Sequence, residues 1–302
     1  MNKACVFFKI SDLVMHYPRN YKKYPDVTRV RNFVYDDRYG NFTRADLLFL
    51  TEQTTGKRPI VVNVHGGGFV KGDKRHRRAI CSEYARLGYF VYNVNYRTAP
   101  NYPLPSGCYD VINAINKLPA LADEYSLDLN KIVFTGDSAG AFYAASAVLA
   151  CVNDEYRNLL GVSKPLITPT AFIGFCGAYR LGDILSRKTP LDIASSIANA
   201  LMGEKCAVKD INSLPNFVYT DLLPYVNEKF PKSLIMYSTH DDFCGGQGEL
   251  MENKLVAAGI EVETFVATGE KDFHCFHLLP KHKSTPACME KVEDYLKRII
   301  AT

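Results

Sequence analysis

At Gly136-Asp137-Ser138-Ala139-Gly140 one hydroxyl sits between two glycines, directly after the apolar run Ile132–Thr135 and directly before an alanine-rich segment ending near Cys151. A strand that passes straight into a helix makes a tight bend, and flanking glycines relieve the crowding there. The bend lifts the serine off the sheet edge, with the next amide at a helix N-terminus. This is the G-x-S-x-G spacing of a nucleophile elbow. In isolation the same five residues would serve as a simple helix cap. A serine hydroxyl is a weak nucleophile that needs a base. Attack on an acyl carbon also needs hydrogen-bond donors for the oxyanion that forms.

The donors are supplied by His65-Gly66-Gly67-Gly68-Phe69, which follows the short run Ile60–Val64. Three glycines after a buried strand leave bare amides pointing into a cavity, so Gly67, Gly68 and Ala139 are the expected oxyanion donors. A phosphate loop is excluded, because neither the Lys-Ser/Thr ending nor a G-x-G-x-x-G spacing is present.

Seven histidines compete for the role of base. His65 belongs to the glycine loop and is expected to order it. His16, His76 and His282 fall in polar sequence without an evident partner, and are expected to be solvated. His274 lies in Asp272-Phe273-His274-Cys275-Phe276-His277, after the last strand and before the last helix. It is the expected base, with His277 as the alternative. An acid must fix the tautomer of that base. Asp241 and Asp242 follow the strand Ser233–Ser238, at the strand end where α/β sites assemble. Asp241 is the expected acid and Asp242 its neighbour in contention. A rival gathering of His240, Asp241, His274 and His277 around a metal lacks the helical H-E-x-x-H spacing and leaves the elbow and the glycine loop unexplained. Neither a metal nor a cofactor is expected.

These side chains require a scaffold, and the chain alternates accordingly. Arg29–Asp36 and Ala45–Leu50 read as an antiparallel opening around Tyr39-Gly40-Asn41. Strands follow at 60–64, 90–94, 132–135, 171–175, 233–238 and 261–267. Helices are expected at 77–87, 109–118, 139–151, 248–258 and 287–300. Alternation of this kind implies an α/β fold: a mostly parallel, doubly wound, eight-stranded sheet with helices on both faces. The pattern lapses over 179–231, which reads as a cap-like insertion with a short helix at Ile193–Met202. Residues 1–28, rich in Tyr, Lys and Pro, are expected to wrap the surface or cap the site. The basic run Lys71–Arg78 reads as a solvated loop and first helical turn.

The 302 residues form one expected domain, 47% apolar and 23% charged, with a net charge of +4 that gives little reason to expect a nucleic-acid partner. Nine scattered cysteines without a C-x-x-C pair speak against zinc knuckles and a disulfide framework, and suit a reducing compartment. The apolar patch in MNKACVFFKISD is too short for a membrane span, and a cytoplasmic location is expected.

HGGGF at 65–69, YRTAPNYPLP at 96–105, GDSAG at 136–140, THDDF at 239–243 and HCFH at 274–277 together resemble the hormone-sensitive-lipase-type branch of the α/β-hydrolases. The resemblance runs from about Ile60 to the C-terminus. It implies a cofactor-free hydrolase of short-acyl carboxylic esters of small molecules, acetyl esters among them. Ser138 matches the nucleophile, His274 the base and Asp241 the acid; Asp110 matches a structural position near the site. Two departures stand out: Ala141 where the family has a further glycine, and Asp-Asp-Phe where it has Asp-Pro-Leu. Other readings are a carbohydrate acetyl esterase, an arylformamidase-like amide hydrolase, and a non-catalytic binding protein on this fold. Oligomeric state is left open between monomer and homodimer.

Overall fold

A computed structural model describes residues 2–52, 56–203 and 212–301. Eight strands form one sheet: β1 Val27–Val34, β2 Arg44–Leu50, β3 Arg58–Val64, β4 Phe90–Val94, β5 Leu127–Asp137, β6 Ala171–Phe175, β7 Lys232–Ser238 and β8 Val262–Ala267. Their order is β1-β2-β4-β3-β5-β6-β7-β8. β2 pairs antiparallel with both β1 and β4, and every other pairing is parallel. The expected α/β sheet with an antiparallel opening is therefore present. β3 and β4 are buried along their whole length, which is why Ile60–Val64 and Phe90–Val94 read as apolar runs, interrupted by Asn63 and Asn93, whose side chains bond each other at 2.9 Å.

Ten helices complete the described chain: α1 Lys3–Asn20, α2 Arg78–Arg86, α3 Ser106–Ile115, α4 Leu118–Tyr125, α5 Ala139–Val152, α6 Asp154–Leu160, α7 Leu181–Leu185, α8 Ile193–Met202, α9 Gln247–Ala257 and α10 Thr285–Ala301. The period-2 alternation of strand side chains divides the core into two layers. Ile60, Val62, Ile132 and Phe134 face α3, α4, α5 and α9. Val61, Val91 and Val133 face α2 and α10. α5 is buried from Ala139 to Cys151, and its alanines let it lie close to β5 and β3.

The N-terminal segment is helical, which its content of Tyr, Lys and Pro does not announce. It forms an 18-residue helix, α1, capped by the Asn2 side chain accepting from the Cys5 amide and retaining Pro18 in its last turn. Tertiary contacts hold it: Asn2 Nδ2 donates to the Ser196 carbonyl at 2.8 Å, and the Ala4 amide donates to Ser196 Oγ at 3.1 Å. α1 thus leans on α8 of the insertion. Part of the insertion, and Cys206 with it, lies outside the described residues.

The basic run differs from expectation. Lys74, His76 and Arg77 are buried, because each meets a partner distant in sequence. Lys74 Nζ lies 3.1 Å from Asp46 Oδ1. Arg77 Nε and Nη2 donate to Asp137 Oδ1 and Oδ2, each at 2.6 Å. His76 is not solvated: its Nδ1 lies 3.0 Å from Nδ1 of His16 on α1.

Candidate active site

Ser138 stands between β5 and α5 with φ +54 and ψ −124. A non-glycine residue in that region is strained by about 1–3 kcal/mol and persists only where its surroundings enforce it. They do so here. The Ser138 amide donates to the Phe175 carbonyl at 2.9 Å, and the Ser138 carbonyl accepts from Ala141 at 3.1 Å. A Cβ at Gly140 would fall on the Val64 carbonyl oxygen and the His65 backbone, so only glycine lets α5 start this close to β3.

The glycine loop folds over the same edge. Gly67 takes φ +141, and a side chain there would meet the Lys71 carbonyl. No hydrogen bond among the described residues occupies the Gly67, Gly68 or Ala139 amide. The Ala139 amide also opens α5, where the helix end carries partial positive charge. His65 orders this loop: Nδ1 lies 2.9 Å from the Gly66 carbonyl, and the ring stacks on Tyr96 at 4.4 Å. Burial drives its pKa down to about 4. Asp110, fully buried, holds the neighbouring segment by accepting from the Arg97 amide at 2.7 Å and from Arg97 Nε at 2.9 Å.

His274 and Asp241 come together from loops 33 residues apart, with Nδ1 to Oδ2 at 2.8 Å. Asp241 is held by the amides of Phe243 at 2.9 Å and Cys244 at 2.8 Å, both donating to Oδ1. Burial pushes the Asp241 carboxyl up, and the His274 charge and these amides bring it below the ordinary value. Burial opposes charging His274, but the facing carboxylate outweighs it and holds the ring well above the ordinary histidine value. Asp272 pins the His274 loop: its carboxylate accepts from the Gly269 amide at 3.1 Å and from the Ser284 hydroxyl, and its carbonyl accepts from the Ser238 hydroxyl.

The other candidates are elsewhere. Asp242 is exposed. His240 is exposed, its ring bonds the neighbouring Thr239 hydroxyl at 3.0 Å and its amide donates to the Ser238 hydroxyl at 3.0 Å. His277 is buried, stacks on Phe175 at 4.1 Å, and is held neutral by burial with a pKa near 3. The four-residue metal gathering weighed above therefore does not assemble.

Sequence reasoning passed over two sets of residues. Arg77 anchors Asp137, the residue directly before the nucleophile position. Its signal was the acid inside the elbow, which needs a buried counter-charge. The second set is aromatic. Phe8 of α1 lies against Gly68, Phe7 and Phe8 pack on Phe243 at 6.0 and 6.4 Å, and Phe243 borders His274 at 5.3 Å. A cavity of about 720 Å³ lies beyond Arg77, lined by Arg19, His76, Tyr84, His277 and Met289. Ser138 and His274 do not line it.

A family model described as BD-FAE matches residues 46–255. The chain belongs to the BD-FAE family. This BD-FAE member is 26% identical over 222 residues to an arylesterase of Saccharolobus solfataricus, covering 72% of this chain and 68% of that one. It is 32% identical over 277 residues to the chloroplastic tuliposide A-converting enzyme 2 of Tulipa gesneriana, covering 84% of this chain and 66% of that one. It spans about half to two thirds of the length of several curated relatives. Among solved structures, esterase B of Lactobacillus Rhamnosis superposes with a TM-score of 0.80 at 20% identity, over 98% of this chain and 95% of that one. The fold is that of an α/β-hydrolase.

Proposed function

We propose that the chain is a serine-dependent carboxylic ester hydrolase working through Ser138, His274 and Asp241. The 2.8 Å contact between His274 Nδ1 and Asp241 Oδ2, together with a serine held at φ +54 on the turn from β5 to α5, carries this reading. Nδ1–H donates to Asp241, which leaves Nε2 as the accepting nitrogen. His274 takes the Ser138 proton as Oγ attacks the ester carbonyl. The amides of Gly67, Gly68 and Ala139 receive the oxyanion. His274 then protonates the leaving alcohol, and water repeats the sequence on the acyl-enzyme. The esterases among the relatives support the reaction class.

Phe8 against Gly68 and Phe243 beside His274 narrow the space around the acyl carbon, which supports short acyl groups on a small-molecule alcohol. α1 and the described parts of 179–231 act as the cap. The eight described cysteines are free thiols, which supports a reducing, cytoplasmic setting. No helix among the described residues is long and apolar enough to cross a membrane.

A panel of p-nitrophenyl esters of rising acyl length tests the reading. Turnover is expected on acetate and butyrate, and Ser138→Ala is expected to lower it by on the order of 10⁴-fold or more. Full turnover by that variant would end the proposal.

A further inference from the structure

Cys176 follows β6 with a backbone φ of +44, outside the extended region of the strand it ends. Its amide donates to the Met236 carbonyl of β7 at 2.7 Å, which fixes that excursion. The thiol then lies beside the acid–base pair: one donor atom each from Cys176, Asp241 and His274 fall within 4.8 Å of one another. A side chain in a strained backbone setting, facing two functional groups, calls for a chemical explanation.

We propose that Cys176, Asp241 and His274 form a zinc site, and that zinc binding there switches the esterase off. The proposal rests on the reading of His274 as the base. Sulfur, imidazole and carboxylate are the ligands zinc takes, while a sulfur donor disfavours magnesium and calcium. Tetrahedral zinc with bonds of about 2.0–2.3 Å sets its donors roughly 3.3–3.8 Å apart. Side-chain shifts of about an ångström reach that spacing, opening the 2.8 Å His274–Asp241 contact and drawing the Cys176 thiol in. Thiolate and carboxylate together balance the charge of the ion, as a buried site requires. The His274 side chain is 16% exposed and offers the way in.

The proton balance explains the inhibition. The Cys176 thiol releases its proton to solvent as sulfur binds. Zinc displaces the Nδ1 proton that bridges to Asp241, and the neutral ring then carries its proton on Nε2. A ring protonated at Nε2 has no lone pair with which to accept the Ser138 proton. Zinc thus competes with catalysis by fixing the wrong tautomer.

The test uses the full chain, ZnCl₂ and CoCl₂. Zinc at micromolar concentration is expected to suppress p-nitrophenyl acetate hydrolysis, and chelator to restore it. Cys176→Ser, with Cys176→Ala as a second variant, is expected to keep esterase turnover while weakening zinc inhibition at least tenfold. Independently of turnover, cobalt is expected to give a thiolate-to-metal charge-transfer band in the near ultraviolet that both variants lose. Chain without esterase activity but with the cobalt band would refute the hydrolase reading and leave the site standing. Undiminished turnover in zinc, equal inhibition of the variants, or cobalt bound without the band would each overturn the site.

Discussion

Arg77 and Asp137 meet through two parallel hydrogen bonds of 2.6 Å, one residue ahead of Ser138, with both side chains 4% exposed. The pair joins the loop after the glycine run to the elbow itself, so elbow geometry depends on a charge 60 positions away. Burial would push the Asp137 carboxyl up, but Arg77 outweighs it and holds it far below the usual range.

Removing one partner strands the other charge in the interior. Arg77→Met is expected to cost about 3–5 kcal/mol in urea unfolding. Because the native pKa of Asp137 is lowered, this stabilisation is present above the unfolded carboxylate value and is lost as pH falls through the native one. The double variant Arg77→Met/Asp137→Asn is expected to recover part of the loss. A single variant as stable as the parent would show that the pair contributes nothing.

Asp241 and Asp242 are adjacent in sequence and differ in surroundings. Asp241→Asn is expected to lower kcat by on the order of 10⁴-fold, and Asp242→Asn to change it by no more than a few-fold, because that carboxylate is exposed. The reverse ranking would assign the acid to Asp242.

The pair also sets the pH response. Only neutral His274 accepts a proton, so kcat/KM rises with pH through the ring's pKa. Asp241 holds that value above 6.5, so the acid limb is expected above 6.5, and in residual Asp241→Asn activity it is expected at lower pH. For stability, the raised His274 contributes below its unfolded value and loses that contribution as pH rises through its native value. The lowered Asp241 contributes above its unfolded value and loses that as pH falls through its native value. The loop is therefore held most firmly between about pH 4 and 6.5. An acid limb unmoved by the substitution would detach Asp241 from the base.

Phe8 covers Gly68 from α1. Phe8→Ala is expected to open that space and to raise kcat/KM for hexanoate relative to acetate by about 10-fold or more, the scale of one or two methylenes in an apolar pocket. An unchanged ratio would remove Phe8 from the acyl site.

The sheet was legible because its inner strands are buried on both faces and spell largely apolar runs, as at Ile60–Val64 and Phe90–Val94, each with a single asparagine. The elbow and the glycine loop were legible because close backbone approach admits only glycine at Gly67 and Gly140. α1 was not, because Pro18 and its charged residues obscure a helix held by contacts to Ser196 and the glycine loop. The burial of His76 and Arg77 was hidden for a related reason: a basic run reads as solvated until Asp137 and His16 are brought to it. Asp241 and Asp242 share one strand end, and what tells them apart is tertiary: Asp241 is buried, meets His274 and accepts from the amides of Phe243 and Cys244, while Asp242 is exposed.

The reactivity of Ser138 is the centre of this account, and covalent capture reads it most directly. A fluorophosphonate probe followed by peptide mapping is expected to place one adduct on Ser138, formed far more slowly in His274→Ala and not at all in Ser138→Ala. An unmodified Ser138 in chain that hydrolyses esters, or an adduct on another residue that accounts for the lost activity, would contradict it.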